Sequence, residues 1–291
     1  MRSPSSGAPT LGAFQYGSHD PTTRIGANSF ARATWTPEGP GTLVIRWTGE
    51  QQTSEGFGPG GDWLVRHAAA MCGADDPGHQ FESGHPVVLA AQRDHDVRFG
   101  ASRTLYHELL PTVLGQRITA GEALRQWRDL TRELGPAAPG PIEGLRLPPD
   151  PELLAGKPTW WFHPLGVEAK RAATLRELGR RFEKLQQWSQ LGAGEAAQKL
   201  AVLPGIGEWT IGSVRATAFG DPDAVAVGDF HLKNLVVHAF TGRPRGTDDE
   251  MLDLLAPYAP HRGRVIRLLQ LAGHAPPKFG PRREVLPMRR W

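Results

Sequence analysis

The feature that most constrains this chain is the stretch Gln198-Lys-Leu-Ala-Val-Leu-Pro-Gly-Ile-Gly-Glu-Trp-Thr-Ile-Gly212. A helical segment runs into Pro204, two glycines flank one apolar residue, and a second helix is predicted to start at Glu208. So tight a connection presents the backbone N–H groups of Gly205, Gly207 and the first turn of the new helix, a donor set that suits a phosphate without any side chain. With no Cβ at either glycine, a nucleic-acid backbone can approach closely. A plain helical connection would account for a lone Pro-Gly-x-Gly equally well, so the weight falls on a second element further along.

That element is Asp223-Ala-Val-Ala-Val-Gly-Asp-Phe-His-Leu-Lys233, an apolar run that delivers one carboxylate, Asp229, to the start of a helix. Asp is a favoured N-cap, and a structural cap is one reading of it. The roles of cap and reactant are compatible. A carboxylate oriented by helix amides stays ionised and in one direction, as a group facing a developing positive charge must.

Composition sets outer bounds. The 291 residues, 39% hydrophobic and 22% charged, are enough for one large or two medium domains. No run approaches the roughly 20 apolar residues of a membrane span, and Met1–Thr10 has no apolar core of a secretory signal, so a cytoplasmic chain without membrane contact is expected. The single cysteine, Cys72, rules out an internal disulfide, a cysteine-held iron–sulfur cluster and a Cys-rich zinc site. It is expected to be a helix-face residue, and the 11 histidines show no metal-ligand spacing. The net charge of +3 is uneven: a basic excess sits at the C-terminus in Arg262, Arg264, Arg267, Arg282, Arg283, Arg289 and Arg290, a pattern of either a polyanion-binding segment or a solvated tail.

The punctuation of the chain predicts a mainly α protein, a helical bundle preceded by a smaller α+β N-terminal domain with an antiparallel sheet. Phe30–Trp35 and Thr42–Thr48 read as a hairpin around Pro37–Gly41. A helix is predicted from Asp62 to Met71, ended by Gly73, and another opens at Pro86. Leu105, Leu109, Leu110, Val113, Leu114 and Ile118 form a helical stripe that Pro111 should kink, and Thr119 with Glu122 reads as a capping box for a helix closed by Gly135. A Pro/Gly-rich connector covers 135–151, followed by helices at about 167–191, 194–203, 208–219, 230–240, 248–258 and 261–272. The expected division is 1–100 for the α+β domain, 101–275 for the helical domains and 276–291 for a basic tail.

Leu203-Pro-Gly-Ile-Gly207 and Val227-Gly-Asp229 together resemble the helix-hairpin-helix DNA glycosylases. Leu203–Thr210 and Leu109-Leu-Pro-Thr-Val-Leu-Gly-Gln-Arg-Ile-Thr119 are most similar to the alkylpurine branch, the bacterial 3-methyladenine DNA glycosylase II type. The motif likeness covers about 101–273 and is only architectural over 1–100. It implies Asp229 as the catalytic carboxylate, stabilising an oxocarbenium-like sugar. It also implies a DNA-binding set of Gly205, Gly207, Glu208, Lys233, Arg262 and Arg264, with Gln116 and Arg117 filling the gap left by a flipped nucleotide. The carbonyls of Ala201, Leu203 and Ile206 are implied to hold a structural Na⁺ or K⁺, with no catalytic cofactor.

Where bifunctional members have a Schiff-base lysine, this chain has Trp209, so the resemblance implies a monofunctional hydrolase leaving an abasic site. Lys233, four residues after Asp229, is the remaining candidate for a stray lyase role. An alkylated purine already carries positive charge and leaves readily from an aromatic pocket. Here Ser213 and Gln270 stand where pocket aromatics are expected, beside Trp209, and that opens an alternative of neutral lesions such as hypoxanthine. Trp160, Trp161 and Phe162 are expected in the core, with the two tryptophans as candidate pocket wall. The expected partner is duplex DNA containing damaged bases, bound by a monomer. A non-enzymatic DNA-binding module is the competing reading.

Overall fold

The computed structural model describes residues 8–49 and 51–276. The expected basic tail beyond Pro276, with Arg282, Arg283, Arg289 and Arg290, lies outside the described residues.

After a short helix α1 (Ala8–Leu11), the chain forms an antiparallel sheet in sequential order. Its strands are β1 (Thr23–Gly26), β2 (Ser29–Thr36), β3 (Gly39–Thr48) and β4 (Gln51–Phe57). The expected hairpin is β2–β3, with Phe30 opposite Ile45 and Ala33 opposite Thr42. One sheet face packs Phe30, Leu43 and Ile45 against Trp63, Leu64 and Met71 of α2 (Gly61–Met71). The other face, Ala31, Ala33 and Val44, is covered by Leu145 and Leu147. The Pro/Gly-rich connector is therefore a second layer over the sheet, pinned where Arg146 N–H donates to the Pro21 carbonyl at 2.8 Å.

The helices that follow are α3 (Pro86–Asp94), α4 (Leu105–Leu114), α5 (Ala120–Leu134), α6 (Pro151–Gly156), α7 (Ala169–Arg180) and α8 (Phe182–Trp188). Then come α9 (Ala193–Ala201), α10 (Glu208–Ala218), α11 (Phe230–Thr241), α12 (Asp248–Leu255) and α13 (Arg262–Leu271). Thr119 caps α5 by accepting from the Glu122 N–H at 3.3 Å; a complete capping box forms instead at Thr247 and Glu250. α4 is buried on nearly every side and runs through the centre of the larger core. It continues as one helix through Pro111.

Packing divides the chain differently from the expected boundary at residue 100. Val88 and Ala91 of α3 join Leu235, Val236, Met251, Val265 and Leu269 of α11, α12 and α13 in a separate core. Residues of the first hundred thus build part of the C-terminal helical lobe.

A buried polar cluster fastens the sheet to α4. Arg32 of β2 and Glu108 of α4, both fully buried, form an ion pair at 2.6 Å, and Tyr16 donates its hydroxyl to the other Glu108 oxygen at 2.7 Å. Burial and the neighbouring carboxylate push the Tyr16 phenol well above its ordinary value. His107 lies between Thr22 and Thr34, held well below the usual imidazole range by burial and then by Arg32, and is therefore neutral.

Candidate active site

The hairpin forms between α9 and α10. Gly205 takes φ +83°, and a Cβ there would lie 2.0 Å from Oγ1 of Thr174 on α7. Glycine is demanded at 205 twice over, by conformation and by space. At Gly207 the backbone is extended (φ −111°) and an added Cβ would meet nothing within 4 Å. Gly207 caps α10 without any side-chain bond, and the first intrahelical bond is Ile211 N–H to the Gly207 carbonyl at 3.0 Å. The amides of Glu208, Trp209 and Thr210 therefore face outward from an open helix N-terminus.

Gln116 and Arg117 follow α4. Gln116 donates its amide N–H groups to the Gly205 carbonyl at 2.9 Å and to Thr210 Oγ1 at 3.0 Å. Its side chain braces the hairpin. Arg117 is exposed, takes φ +60° and has no ion pair or hydrogen bond among the described residues. Sequence reading missed Arg171, which is buried and donates to the Leu114 carbonyl at 2.6 Å and to Gln126 at 2.9 Å, so that α7 supports both this loop and the hairpin.

Asp229 caps α11. One carboxylate oxygen accepts from the N–H groups of His231 (2.7 Å) and Leu232 (3.0 Å), and the other accepts from the indole N–H of Trp209 at 3.0 Å. Trp209 also lies against Gly115, so the loop of Gln116 and Arg117, the hairpin and the carboxylate share one face. Lys233 is 2.8 Å from Asp248, whose second oxygen accepts from the Gly228 N–H at 2.9 Å. Burial raises the Asp248 pKa, but Lys233 and the Gly228 amide outweigh it and hold the carboxyl below its ordinary value. Lys233 therefore steadies the loop that presents Asp229.

One expected DNA contact, Arg264, is corrected. Arg264 is only 1% exposed; it donates to Asp76 at 2.6 Å and to the Val97 carbonyl, so it cannot reach a phosphate. Arg262 is engaged by both oxygens of Asp223, at 2.9 and 2.5 Å, and ties α13 to the loop before Asp229.

Of the expected pocket residues, Ser213 and Gln270 meet in a cleft of about 250 Å³ between α10 and α13. The cleft adjoins Asp229, since its lining includes Leu232 and also Ala226, whose carbonyl accepts the Asp229 N–H at 3.2 Å. Ser213 donates to the Trp209 carbonyl at 2.8 Å. Trp209 itself does not line the cleft, nor do Trp160 and Trp161. Phe162 is buried and Trp161 packs edge-on to it in the larger core, whereas Trp160 is 67% exposed. Burial pushes the Cys72 thiol up to about 11, which leaves it unsuited to nucleophilic work.

The three carbonyls expected to hold a cation fit one in chemistry. Ala201 and Ile206 accept no hydrogen bond within the turn, while the Leu203 carbonyl accepts only the Ile206 N–H at 3.1 Å. Oxygen donors of this kind suit a hard monovalent ion.

No protein-family model matches the sequence, and no curated protein matches it significantly. Solved structures do match in fold. A 3-methyladenine DNA glycosylase from Archaeoglobus fulgidus superimposes with a TM-score of 0.72 at 15% identity, over 92% of this chain and 94% of its own. An 8-oxoguanine glycosylase/lyase from Clostridium acetobutylicum, in complex with duplex DNA containing cytosine opposite 8-oxoguanine, gives 0.53 at 11% identity, over 85% and 96%. A 3-methyladenine DNA glycosylase from Schizosaccharomyces pombe, in complex with abasic DNA, gives 0.50 at 16% identity, over 66% and 92%. The chain thus has the fold of the helix-hairpin-helix DNA glycosylases. Among the described residues no helix is long and apolar enough to cross a membrane.

Proposed function

We propose that the protein is a monofunctional DNA N-glycosylase of base excision repair, flipping a damaged purine from duplex DNA and hydrolysing its glycosidic bond. The observation that carries this reading is the threefold-bonded Asp229 carboxylate, on the same face as an uncapped, open hairpin. A protein that only bound DNA would need the hairpin and could use Asp229 as the cap of α11, but it would have no need of the further bond from Trp209 that ties the carboxylate to the hairpin helix.

In this reading a phosphate rests on the outward amides of Gly207 and the first turn of α10, where the helix dipole adds positive potential. A Na⁺ or K⁺ on the carbonyls of Ala201, Leu203 and Ile206 would add positive charge to the hairpin when bound. Arg117 enters the gap left by the flipped nucleotide, its guanidinium plane replacing lost stacking. As the bond between C1′ and the base nitrogen breaks, its electron pair leaves with the base, and Asp229 faces the positive charge on the sugar. Water adds to C1′ and loses a proton through Asp229 to the departing base, so that free base and an abasic site result.

Trp209 offers no amine for a Schiff base and Lys233 is ion-paired with Asp248, both of which support hydrolysis over lyase chemistry. Base release from duplexes carrying 3-methyladenine, 7-methylguanine, hypoxanthine and ethenoadenine tests the proposal. Release of at least one base by the wild type, lost in Asp229→Asn, is expected. No release from any duplex would favour a DNA-binding module.

A further inference from the structure

The cleft beside Asp229 bears on the substrate class. Among the described residues its lining has no Asp or Glu, and it includes two arginines. Arg98 is engaged, with Asp96 at 3.5 Å and the Asp76 carbonyl at 2.6 Å. Arg267, on the α13 turn between Gly263 and Gln270, is half-buried and has no ion pair, hydrogen bond or ring contact among the described residues. An arginine lining a cleft with no counter-charge among the described residues contrasts with the other two arginines of α13, both of which are paired.

The aromatic side of the cleft argues in the same direction. Its one ring among the described residues is Phe99, and the guanidinium of Arg264 already sits over that ring, 5.3 Å from its centre. With one face of this single ring already taken by a cation, the cleft offers a cationic purinium at most the other face of Phe99. Ser213 and Gln270 supply hydrogen-bonding groups on either side.

Resting on the glycosylase reading above, we infer that Arg267 is the specificity-determining residue of the base cleft and selects neutral 6-oxopurines, the class of hypoxanthine, over cationic alkylpurines. The guanidinium fork matches the paired acceptors O6 and N7 of such a base. A 7-alkylated guanine loses the N7 acceptor and brings a positive charge toward Arg267, so geometry and electrostatics reject it together. A neutral base is also the poorer leaving group, and the same guanidinium offsets that by stabilising the negative charge that builds on the base as the glycosidic electron pair moves to it. Guanine shares the acceptor edge, but a matched guanine must abandon a full Watson–Crick pair to flip, whereas hypoxanthine in a mispair gives up less.

The test separates recognition from catalysis. Affinity is measured for duplexes carrying 2′-fluoroarabino nucleosides of hypoxanthine or 7-methylguanine, whose glycosidic bonds resist cleavage, and base release is measured on the ordinary counterparts. Wild type is expected to bind the hypoxanthine duplex about tenfold to a hundredfold more tightly than the 7-methylguanine duplex, the range of one bidentate contact. Arg267→Gln should abolish that preference with unchanged Tm, and Arg267→Lys should restore only part of it. A preference for 7-methylguanine, or an undiminished preference in Arg267→Gln, overturns the inference even if base release is observed. The expected preference without any base release sustains the role of Arg267 and overturns the catalytic reading.

Discussion

The indole N–H of Trp209 donates to the Asp229 carboxylate at 3.0 Å, from the first turn of the helix that the hairpin opens. In the proposed mechanism the residue standing at the lyase-amine position would thus also orient the catalytic carboxylate. Trp209→Phe keeps the ring and removes the donor. A hydrogen bond to a charged group is worth about 1.5–3 kcal/mol. Single-turnover base release should therefore fall about tenfold to a hundredfold, while affinity for undamaged duplex stays as in wild type.

The two hairpin glycines should separate stability from binding. Gly205→Ala places a Cβ on Thr174 and an L-residue at φ +83°, and should lower unfolding stability by about 1–3 kcal/mol in urea titrations. Gly207→Ala meets open space and should leave stability within about 0.5 kcal/mol. Its methyl group stands where the phosphate would approach, so duplex affinity should drop. A loss of stability equal to that of Gly205→Ala would show that Gly207 serves the fold.

Lys233 should not act as a nucleophile. Borohydride treatment during turnover is expected to trap no covalent adduct, and Lys233→Met should still yield an abasic product. Because Asp248 holds both Lys233 and the Gly228 amide, Asp248→Asn should slow base release and cost about 1 kcal/mol of stability.

Acid should weaken the C-terminal lobe through Asp76 and Asp223. Burial raises the pKa of each, but Arg264 with the Phe99 and Gly78 amides outweighs it at Asp76, and Arg262 does so at Asp223, leaving both below the ordinary value. A lowered folded-state pKa means stabilisation that is complete above about pH 4 and is lost as pH falls through the folded value. Urea unfolding should show stability declining below about pH 4. Asp76→Asn should flatten that decline and lower stability at neutral pH by about 3 kcal/mol, since Arg264 is left buried without its counter-charge.

What the sequence revealed follows from range. The hairpin, the Asp229 cap and the β2–β3 pair are written in neighbouring residues, and local physics decides them. β1 and β4 escape notice because an edge strand such as Gln51-Gln-Thr-Ser-Glu-Gly-Phe57 is polar and shows no apolar alternation. Arg264 looks like a DNA contact until its partner is known, and Asp76 lies 188 residues before it. Arg267 shares the same helix and the same charge, and only packing distinguishes it as a cleft-lining arginine with no partner among the described residues.

The most direct measurement is single-turnover base release by wild type and Asp229→Asn on the lesion duplex that the wild type processes fastest. The two proteins should have equal duplex affinity, since in the proposed reading the phosphate would rest on backbone amides elsewhere. Release by Asp229→Asn is expected to be slower by about a hundredfold or more. Equal rates in the two proteins would contradict the assignment of Asp229 and, with it, the catalytic reading of the site.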